Sequence, residues 1–242
     1  MFNTNVNQEV LYHEETHPCV GSFSGFCRSL DLVSLAGERV YTFDDMRAWE
    51  VISGKWEVKN GEFYSTGSTS AMCAIALLKE EEGVRTEELE YISVKGYDLG
   101  TGAWQNLFIV FGYNEKESRY YLAGPFVGGR QKWAFDPIDI KTHKRVGELA
   151  AAADKLSPKV WYQVKVVFEK DTAILYGGEV GKKLEKRTSY TFPKGIPKGR
   201  VGLGASNSEN KFDDFIVAGP TISAPVDPRD KLATSWGEIK MR

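Results

Sequence analysis

Between residues 40 and 219 the chain consists of short apolar runs of strand length, separated by Gly, Asn, Lys and Pro. Asn60-Gly61 lies between two alternating runs, and Asn-Gly in that setting is the strongest short signal for a β-hairpin. Two longer hairpins are predicted farther on, one with a charged tip at residues 114–118 and one that turns at residues 169–171. Many short strands with regular turns predict antiparallel sheets rather than alternating strands and helices.

The stretch from residue 146 to 156 is the one predicted to be helical. Residues 146–156, VGELAAAADKL, are rich in Ala, and Pro158 follows them, which predicts one short helix. The predicted fold class is therefore all-β, a two-sheet antiparallel β-sandwich with one short helix. We expect an N-terminal extension at residues 1–39, a single domain at 40–219, and a Pro- and charge-rich C-terminal tail at 220–242 that packs along the surface or dangles.

Composition excludes several function classes. Hydrophobic residues make up 42% and charged residues 26% of the 242 residues, as in globular proteins that bury a sizeable core. The net charge of -2 gives no overall field that would attract nucleic acid. No apolar run approaches the roughly 20 residues that a membrane-spanning helix needs. The N-terminus lacks the basic and apolar regions of a signal peptide, so we expect an intracellular protein or one whose export signal is missing from this chain.

The three cysteines leave two interpretations open. Cys19 and Cys27 can close a small loop in an oxidising compartment, which leaves Cys73 unpaired. Alternatively, all three are free, partly buried thiols.

Three segments resemble a known superfamily. YTFDDMRAWEVISGKWEVKNGEFYSTG, VWYQVKVVFEKDTAILYGG and GRVGLGASNSENKFDDFIVAG resemble the opening strands, the middle hairpin and the closing strands of concanavalin A-like, laminin-G-like jelly rolls. The likeness covers about residues 40–219 and implies a jelly-roll sandwich. This fold hosts lectins, carbohydrate-binding modules, glycosidases, lyases and adhesive domains, so it does not by itself fix a function. The resemblance also implies an extracellular or cell-surface location.

The triplet Phe-Asp-Asp occurs near both ends of the predicted domain, with Asp44 and Asp45 in the first copy and Asp213 and Asp214 in the second. The resemblance implies that the first and last strands lie side by side and antiparallel, which would bring the two triplets together. Clustered carboxylates repel each other, and Ca²⁺ takes six to eight oxygen ligands, so we hypothesise a structural Ca²⁺ at these four residues. The alternative is that the inward Asp of each pair caps backbone N–H groups at a bulge while its neighbour is solvated.

A formal H-E-x-x-H motif runs from His13 to His17. On a helix, two His four residues apart can bind Zn²⁺. Here Pro18 follows directly and pushes His17 away from helical geometry, and no third ligand follows at the expected interval. A chance match is therefore the favoured interpretation.

Catalytic carboxylates are sparse in recognisable form. Glu88 and Glu90 are expected to share one strand face, either as a cleft pair or as a solvated stripe. The E-x-D-x-E motif common in glycosidases of this fold is absent from the sequence.

Lyases of this fold pair a His or Tyr base with Arg and Gln. The residues Arg119, Tyr120, Tyr121 and His143 supply those types without the characteristic motifs.

Aromatic and planar polar residues crowd into the stretch from residue 104 to 133. Trp and Tyr stack on the apolar faces of sugars, and Arg, Asn and Gln bond the hydroxyls around them. We therefore expect an exposed ligand-binding set composed of Tyr113, Arg119, Tyr121, Arg130 and Trp133. The alternative is that most of these aromatic residues belong to the core.

The sequence thus predicts a carbohydrate-binding, lectin-like domain that binds a glycan or polysaccharide without cleaving it and carries a structural calcium site. One alternative is a glycoside hydrolase or polysaccharide lyase on the same fold, and another is an adhesive or structural interaction domain. A groove with exposed aromatic residues and no paired carboxylates favours binding, and paired carboxylates at a groove floor favour hydrolysis.

Overall fold

A computed structural model describes residues 37–66, 73–102, 104–206 and 208–223. These residues form two antiparallel sheets, which confirms the predicted two-sheet β-sandwich. The H-E-x-x-H motif at 13–17, Cys19 and Cys27 lie outside the described residues. The predicted domain boundaries stay a prediction.

The larger sheet has eight strands, in the order β13-β12-β11-β6-β15-β4-β3, with β1 paired to β15. Its strands, in chain order, are β1 (Gly37–Tyr41), β3 (Trp56–Lys59), β4 (Glu62–Ser65), β6 (Tyr91–Asp98), β11 (Trp161–Glu169), β12 (Thr172–Glu179), β13 (Glu185–Thr191) and β15 (Asn210–Gly219).

The smaller sheet has seven strands, in the order β10-β9-β8-β7-β14-β5-β2. These strands are β2 (Trp49–Ser53), β5 (Ala74–Leu78), β7 (Phe108–Asn114), β8 (Arg119–Phe126), β9 (Lys132–Asp139), β10 (Ala150–Ala153) and β14 (Arg200–Ala205).

The first and last strands pair directly, as the sequence predicts. β1 and β15 run antiparallel, with Gly37 opposite Gly219 and Tyr41 opposite Phe215. The N-terminal half of β15 pairs with β4 on the same edge, so β15 changes partner along its length. This closure ties the two ends of the described chain into one sheet.

The predicted hairpins are present. Asn60 and Gly61 connect β3 to β4, and both have positive φ angles, 56° and 76°. Two-residue hairpin turns of this kind require positive φ at both positions, which Asn and Gly adopt at little cost. The charged tip between β7 and β8 contains a 3-10 turn at Glu115–Glu117, and β11 turns into β12 at residues 170 and 171.

The prediction of a helix at residues 146–156 is wrong. Ala150–Ala153 forms β10, which pairs with β9 at the edge of the smaller sheet. Ala favours helices, but backbone pairing with an existing strand outweighs so small a propensity. The described residues contain 3-10 helices at Glu80–Glu82, Thr86–Glu88 and Glu115–Glu117. None of the helices in the described residues is long and apolar enough to cross a membrane.

The main core lies between the sheets and is rich in aromatic side chains. Phe63 of β4 contacts Phe43, Trp49 and Trp56, with ring centroids 5.0, 4.9 and 4.8 Å away. Phe215 of β15 joins the same cluster through Trp49, at 5.2 Å. The aromatic cluster therefore joins residues from both ends of the domain in one packed unit.

The seven-stranded sheet is apolar on both faces. Side chains that alternate with those of the main core form a second buried cluster on its outer face, which includes Ile75, Leu77, Phe108, Val110, Tyr120 and Leu122. Cys73 belongs to this cluster as a free thiol, and burial raises its pKa to about 12, so the thiol stays protonated and unreactive at neutral pH.

The packing of the main core leaves no room for a side chain at Gly177. A Cβ atom added to Gly177 in β12 would lie 2.2 Å from the indole carbons of Trp133. We expect Gly177→Ala to lower the free energy of unfolding by about 1–3 kcal/mol, because the buried ring cannot move without disturbing its neighbours. Gly147→Ala is the control, since its added Cβ would approach only Pro137, at 3.7 Å. Urea denaturation measures both; equal stability of the two variants would contradict this packing.

Candidate functional site

A groove with a volume of about 690 Å³ lies between the two sheets, next to the segment that follows β13. Its lining includes Arg119 and Tyr121 of β8, Pro137 of β9, Tyr190 of β13 and residues 192–198. Ligand sites for small molecules are typically clefts of about 300–1,000 Å³, so the groove has the size of a binding site.

Two tyrosines form the aromatic wall of the groove. Tyr121 and Tyr190 are half-buried, and both pack edge-on against buried Phe192, with ring centroids 5.2 and 4.9 Å away. Phe192 thus anchors one tyrosine from each sheet. Each ring keeps part of its surface accessible, which is the arrangement that stacking on an apolar ligand face requires.

Positive charge dominates the polar lining. Arg119, Lys194 and Lys198 are exposed, and Glu117 is the carboxylate among the lining residues. Among the described residues, no carboxylate forms an ion pair with any of these three cations. Burial raises the pKa of Tyr121, and the neighbouring Arg119 guanidinium partly opposes that increase. The groove therefore presents hydrogen-bond donors beside aromatic surface.

The segment after β13 is held by backbone hydrogen bonds. The Phe192 N–H donates to the Asp171 carbonyl at 2.7 Å, and the Gly195 N–H donates to the Phe192 carbonyl at 3.1 Å. Gly195 has a φ of 82°, which favours Gly and turns the chain back along the groove. The sequence interpretation missed this segment; its signal is the Pro- and Gly-rich run TFPKGIPKG beside a tyrosine, since such loops lie on surfaces and often carry function.

The structure brings together two of the five expected ligand-binding residues, Arg119 and Tyr121. Arg130 is exposed but lies elsewhere, with its guanidinium carbon 5.2 Å from the centroid of the Trp104 ring. The exposure of Arg119 and Arg130 is as expected, and Tyr121 is half-buried. The ligand-binding role of the five residues stays a prediction.

The expected exposure of Tyr113 and Trp133 is wrong. Trp133 is 0% exposed because the register of β9 points it into the main core, where its indole N–H donates to Asp154 at 2.8 Å. Tyr113 is only 6% exposed and packs against Tyr120 in the second cluster. For these two residues, the alternative that aromatic strand residues belong to the core is the one observed.

The first aspartate pair lies after β1. Asp44 accepts a hydrogen bond from the Thr42 hydroxyl at 2.8 Å. Asp45 accepts from the backbone N–H and from the guanidinium of Arg47, at 2.8 and 2.6 Å. These bonds hold the pKa of Asp45 below its usual range.

The second aspartate pair lies at a break in the pairing of β15. The register with β6 shifts between Asp213 and Ile216, and Asp214 has a φ of 48°, in the left-handed region that Asp tolerates. Asp213 accepts a hydrogen bond from the Asp214 N–H at 2.8 Å, and Asp214 forms an ion pair with Lys95 at 2.5 Å. Asp213 therefore caps backbone at a bulge, as the alternative interpretation expects.

The sequence predicts that the four aspartates share a calcium ion. Each has a partner of its own, and the described residues contain no group of three or more His, Cys, Asp or Glu side chains that could hold a metal ion. The structural Ca²⁺ has not been tested and stays a prediction of the sequence.

The enzymatic candidates are dispersed. Tyr120 contacts His143 on the outer face of the smaller sheet, with the hydroxyl 3.3 Å from Nδ1, whereas Arg119 and Tyr121 line the groove on the opposite face. Glu88 ends a 3-10 turn and Glu90 precedes β6, so the two do not share a strand face, contrary to expectation.

A cluster of buried polar side chains lies at one end of the sandwich. Asp98 accepts hydrogen bonds from the Ser208 hydroxyl at 2.6 Å and from the Gly100 N–H at 2.7 Å. It pairs across strands with Asn210, whose Oδ1 is buried and has no hydrogen-bond partner among the residues that the structure describes. Burial raises the pKa of Asp98 to about 6, and its hydrogen bonds only partly oppose this increase. The cluster therefore holds a carboxyl group that is protonated in mildly acidic solution.

Comparisons with known proteins identify the fold. No protein-family model matches the chain, and no curated protein sequence matches it. Among solved structures, the carbohydrate-binding module CBM66 from Bacillus subtilis is similar with a TM-score of 0.56 at 12% identity, over 70% of this chain and 95% of that one. A seed lectin from Lotus tetragonolobus has a TM-score of 0.52 at 8% identity, over 76% of this chain and 97% of that one. The chain thus has the concanavalin A-like jelly-roll fold that its motifs predict.

Calcium dependence can be measured directly. Because each of the four aspartates already has a partner, we expect neither a chelator nor added Ca²⁺ to change the melting temperature. Thermal unfolding in EDTA and in excess Ca²⁺, with Mg²⁺ as the control, tests this. A fall of several degrees in EDTA that Ca²⁺ alone reverses would support the calcium hypothesis instead.

The buried Asp98 predicts a pH-dependent stability. In the unfolded chain its pKa is about 3.9, so between pH 4 and 6 the unfolded state releases a proton that the folded state keeps. The contribution of Asp98 to stability is therefore greatest below pH 4, falls as pH rises to about 6, and is flat above that, with a total change of at most about 3 kcal/mol.

Asp98→Asn removes this titration. Relative to the natural protein, the variant should gain stability between pH 4 and pH 7, as measured by urea denaturation at each pH. A stability difference that does not change with pH would show that Asp98 is ionised in the folded protein throughout this range.

Proposed function

We propose that this protein binds carbohydrate in the groove between its sheets. The observation that carries the proposal is the juxtaposition of Tyr121 and Tyr190 with the cations Arg119 and Lys194 in a groove of about 690 Å³. Sugars present apolar C–H faces ringed by hydroxyls, so a site for them combines accessible aromatic rings with hydrogen-bond donors. The two similar structures are named as a carbohydrate-binding module and a seed lectin, which supports the same conclusion.

The groove favours binding over hydrolysis. Most glycosidases need two carboxyl groups flanking the scissile bond, and the groove lining supplies Glu117. A smaller cleft of about 390 Å³ contains three carboxylates, Glu80, Glu87 and Glu115. Of these, Glu80 pairs with Arg85 and Glu87 accepts a hydrogen bond from the Gly199 N–H.

The charge of the groove indicates a class of sugar. Its three cations, Arg119, Lys194 and Lys198, outnumber Glu117, so the local potential is positive. We expect oligosaccharides that contain uronic acids to bind more tightly than neutral ones. Because exposed charges are screened by salt, that preference should weaken as ionic strength rises.

Calorimetry with a panel of soluble neutral and uronic acid oligosaccharides tests the groove. Arg119→Ala and Lys194→Ala should each lower the affinity for the best ligand about tenfold, which corresponds to about 1.4 kcal/mol. Lys186→Ala is the control, because Lys186 is exposed on β13 outside the groove. Affinity that is unchanged in both groove variants, or no binding across the panel, would reject this site.

A further inference from the structure

Three aromatic side chains form a row on the outer face of the eight-stranded sheet. Strand register places Tyr64 opposite Lys211, Lys211 opposite Tyr97, and Tyr97 opposite Trp161, across four adjacent strands. All four side chains alternate with buried residues of the main core and are half-buried, so they face outward. We call the set Tyr64, Lys211, Tyr97 and Trp161 the outer row.

The strand positions set the spacing of the aromatic rings within the outer row. Tyr64 and Tyr97 are two strands apart, and neighbouring strands lie about 4.7–4.9 Å apart, so the two tyrosines are about 10 Å apart along the sheet. Trp161 contacts Tyr97 directly, with ring centroids 5.4 Å apart. The distance of about 10 Å between the two tyrosines matches two pyranose units of an extended polysaccharide, so Tyr64 and Tyr97 can contact the same polysaccharide chain.

Two polar groups of the outer row remain available, while Tyr64 hydrogen-bonds Glu209 and Lys211 pairs with Glu62. Among the described residues, neither the Tyr97 hydroxyl nor the Trp161 indole N–H has a hydrogen-bond partner. Two residues from Trp161 and Tyr97 along the same strands, Gln163 lies opposite Lys95. Gln163 is half-buried at the same surface. Aromatic rings with unused donors beside an amide form a surface that can hydrogen-bond sugar hydroxyls.

Two lysines on this face are paired with carboxylates. Lys211 pairs with Glu62 at 2.8 Å, and Lys95 pairs with Asp214 at 2.5 Å. These two lysines are therefore already neutralised, unlike the cations of the groove, and the Lys59 ammonium lies over the Tyr64 ring, 5.7 Å from its centroid. A polyanion such as nucleic acid or a sulfated glycan would therefore gain little electrostatic attraction from the paired lysines. An uncharged polysaccharide does not depend on such attraction.

From this geometry we propose that the outer row is a second carbohydrate-binding surface, which takes an extended, neutral polysaccharide across the strands. The proposal rests on the proposed carbohydrate-binding function but concerns a different surface and a different ligand. The groove has a volume of about 690 Å³, which suits a short oligosaccharide, whereas the outer row lies on an open sheet face that a long or insoluble chain can reach.

The experiment measures two kinds of carbohydrate binding for each variant, and binding of single-stranded RNA as a third probe. Depletion from solution by insoluble neutral polysaccharides, such as cellulose, chitin and β-1,3-glucan, reports on the outer row. Calorimetry with the soluble oligosaccharide panel reports on the groove. The variants are Tyr97→Ala and Trp161→Ala in the outer row and Arg119→Ala in the groove.

Tyr176→Ala is the matched control, because Tyr176 is a half-buried tyrosine of the same sheet face whose register partner is Lys165, outside the outer row. Trp161→Phe keeps an aromatic ring and should retain most of the binding, which separates loss of the ring from loss of the fold. Thermal unfolding identifies any variant that is not folded, and the other alanine variant of the outer row then carries the comparison with Tyr176→Ala.

We expect Tyr97→Ala and Trp161→Ala to weaken binding to at least one insoluble polysaccharide about tenfold or more and to leave oligosaccharide binding unchanged. Arg119→Ala should do the reverse. Binding to the insoluble polymers that is unaffected in both outer-row variants, or that is absent in the natural protein, would overturn the outer row and leave the groove standing. Loss of single-stranded RNA binding in the outer-row variants, without polysaccharide binding, would assign the face to nucleic acid and would also overturn the proposal.

Discussion

Closure of the larger sheet by its first and last strands is the constraint on which the rest of the structure depends. β1 and β15 pair along five positions, and the aromatic cluster around Phe63 packs directly beneath that seam. Ring contacts in a buried cluster each add about 0.5–1.5 kcal/mol beyond the area they bury. With the seam fixed, the order of the strands places Tyr190 near Tyr121 and places Tyr97 beside Trp161.

The repeated triplet Phe-Asp-Asp has a local explanation. Phe43 and Phe212 are core residues that pack around Phe63 and Trp56, and the aspartates follow where the chain leaves regular pairing. At such points backbone N–H groups lose their ladder partners, and a short carboxylate accepts their hydrogen bonds. The two copies perform the same local task twice, so their similarity does not require a shared ion.

Local signals allowed most of the fold to be predicted, and non-local contacts decided what was missed. Asn60-Gly61 specifies its turn through backbone geometry alone, so the hairpin was predictable. Ala150–Ala153 has helical propensity, yet β9 supplies backbone partners that no local pattern shows. Trp133 follows a glycine-rich loop but points inward because of strand register, which a single residue shift would reverse. The groove was only partly predictable, since it forms where Arg119 and Tyr121 meet residues 192–198 from the other sheet.

The polarity of the two sheets determines which surfaces suit the proposed sugar ligand. Both faces of the smaller sheet are apolar, and its outer cluster buries Phe108, Tyr120 and Leu122, so this surface cannot replace the hydrogen bonds that a sugar makes with water. The larger sheet has one apolar face and one face where aromatic rings alternate with paired charges such as Lys95 and Asp214. A sugar needs apolar contact and hydrogen bonds in the same place. In the described part of the chain, the edge between the sheets and the outer face of the larger sheet meet that requirement.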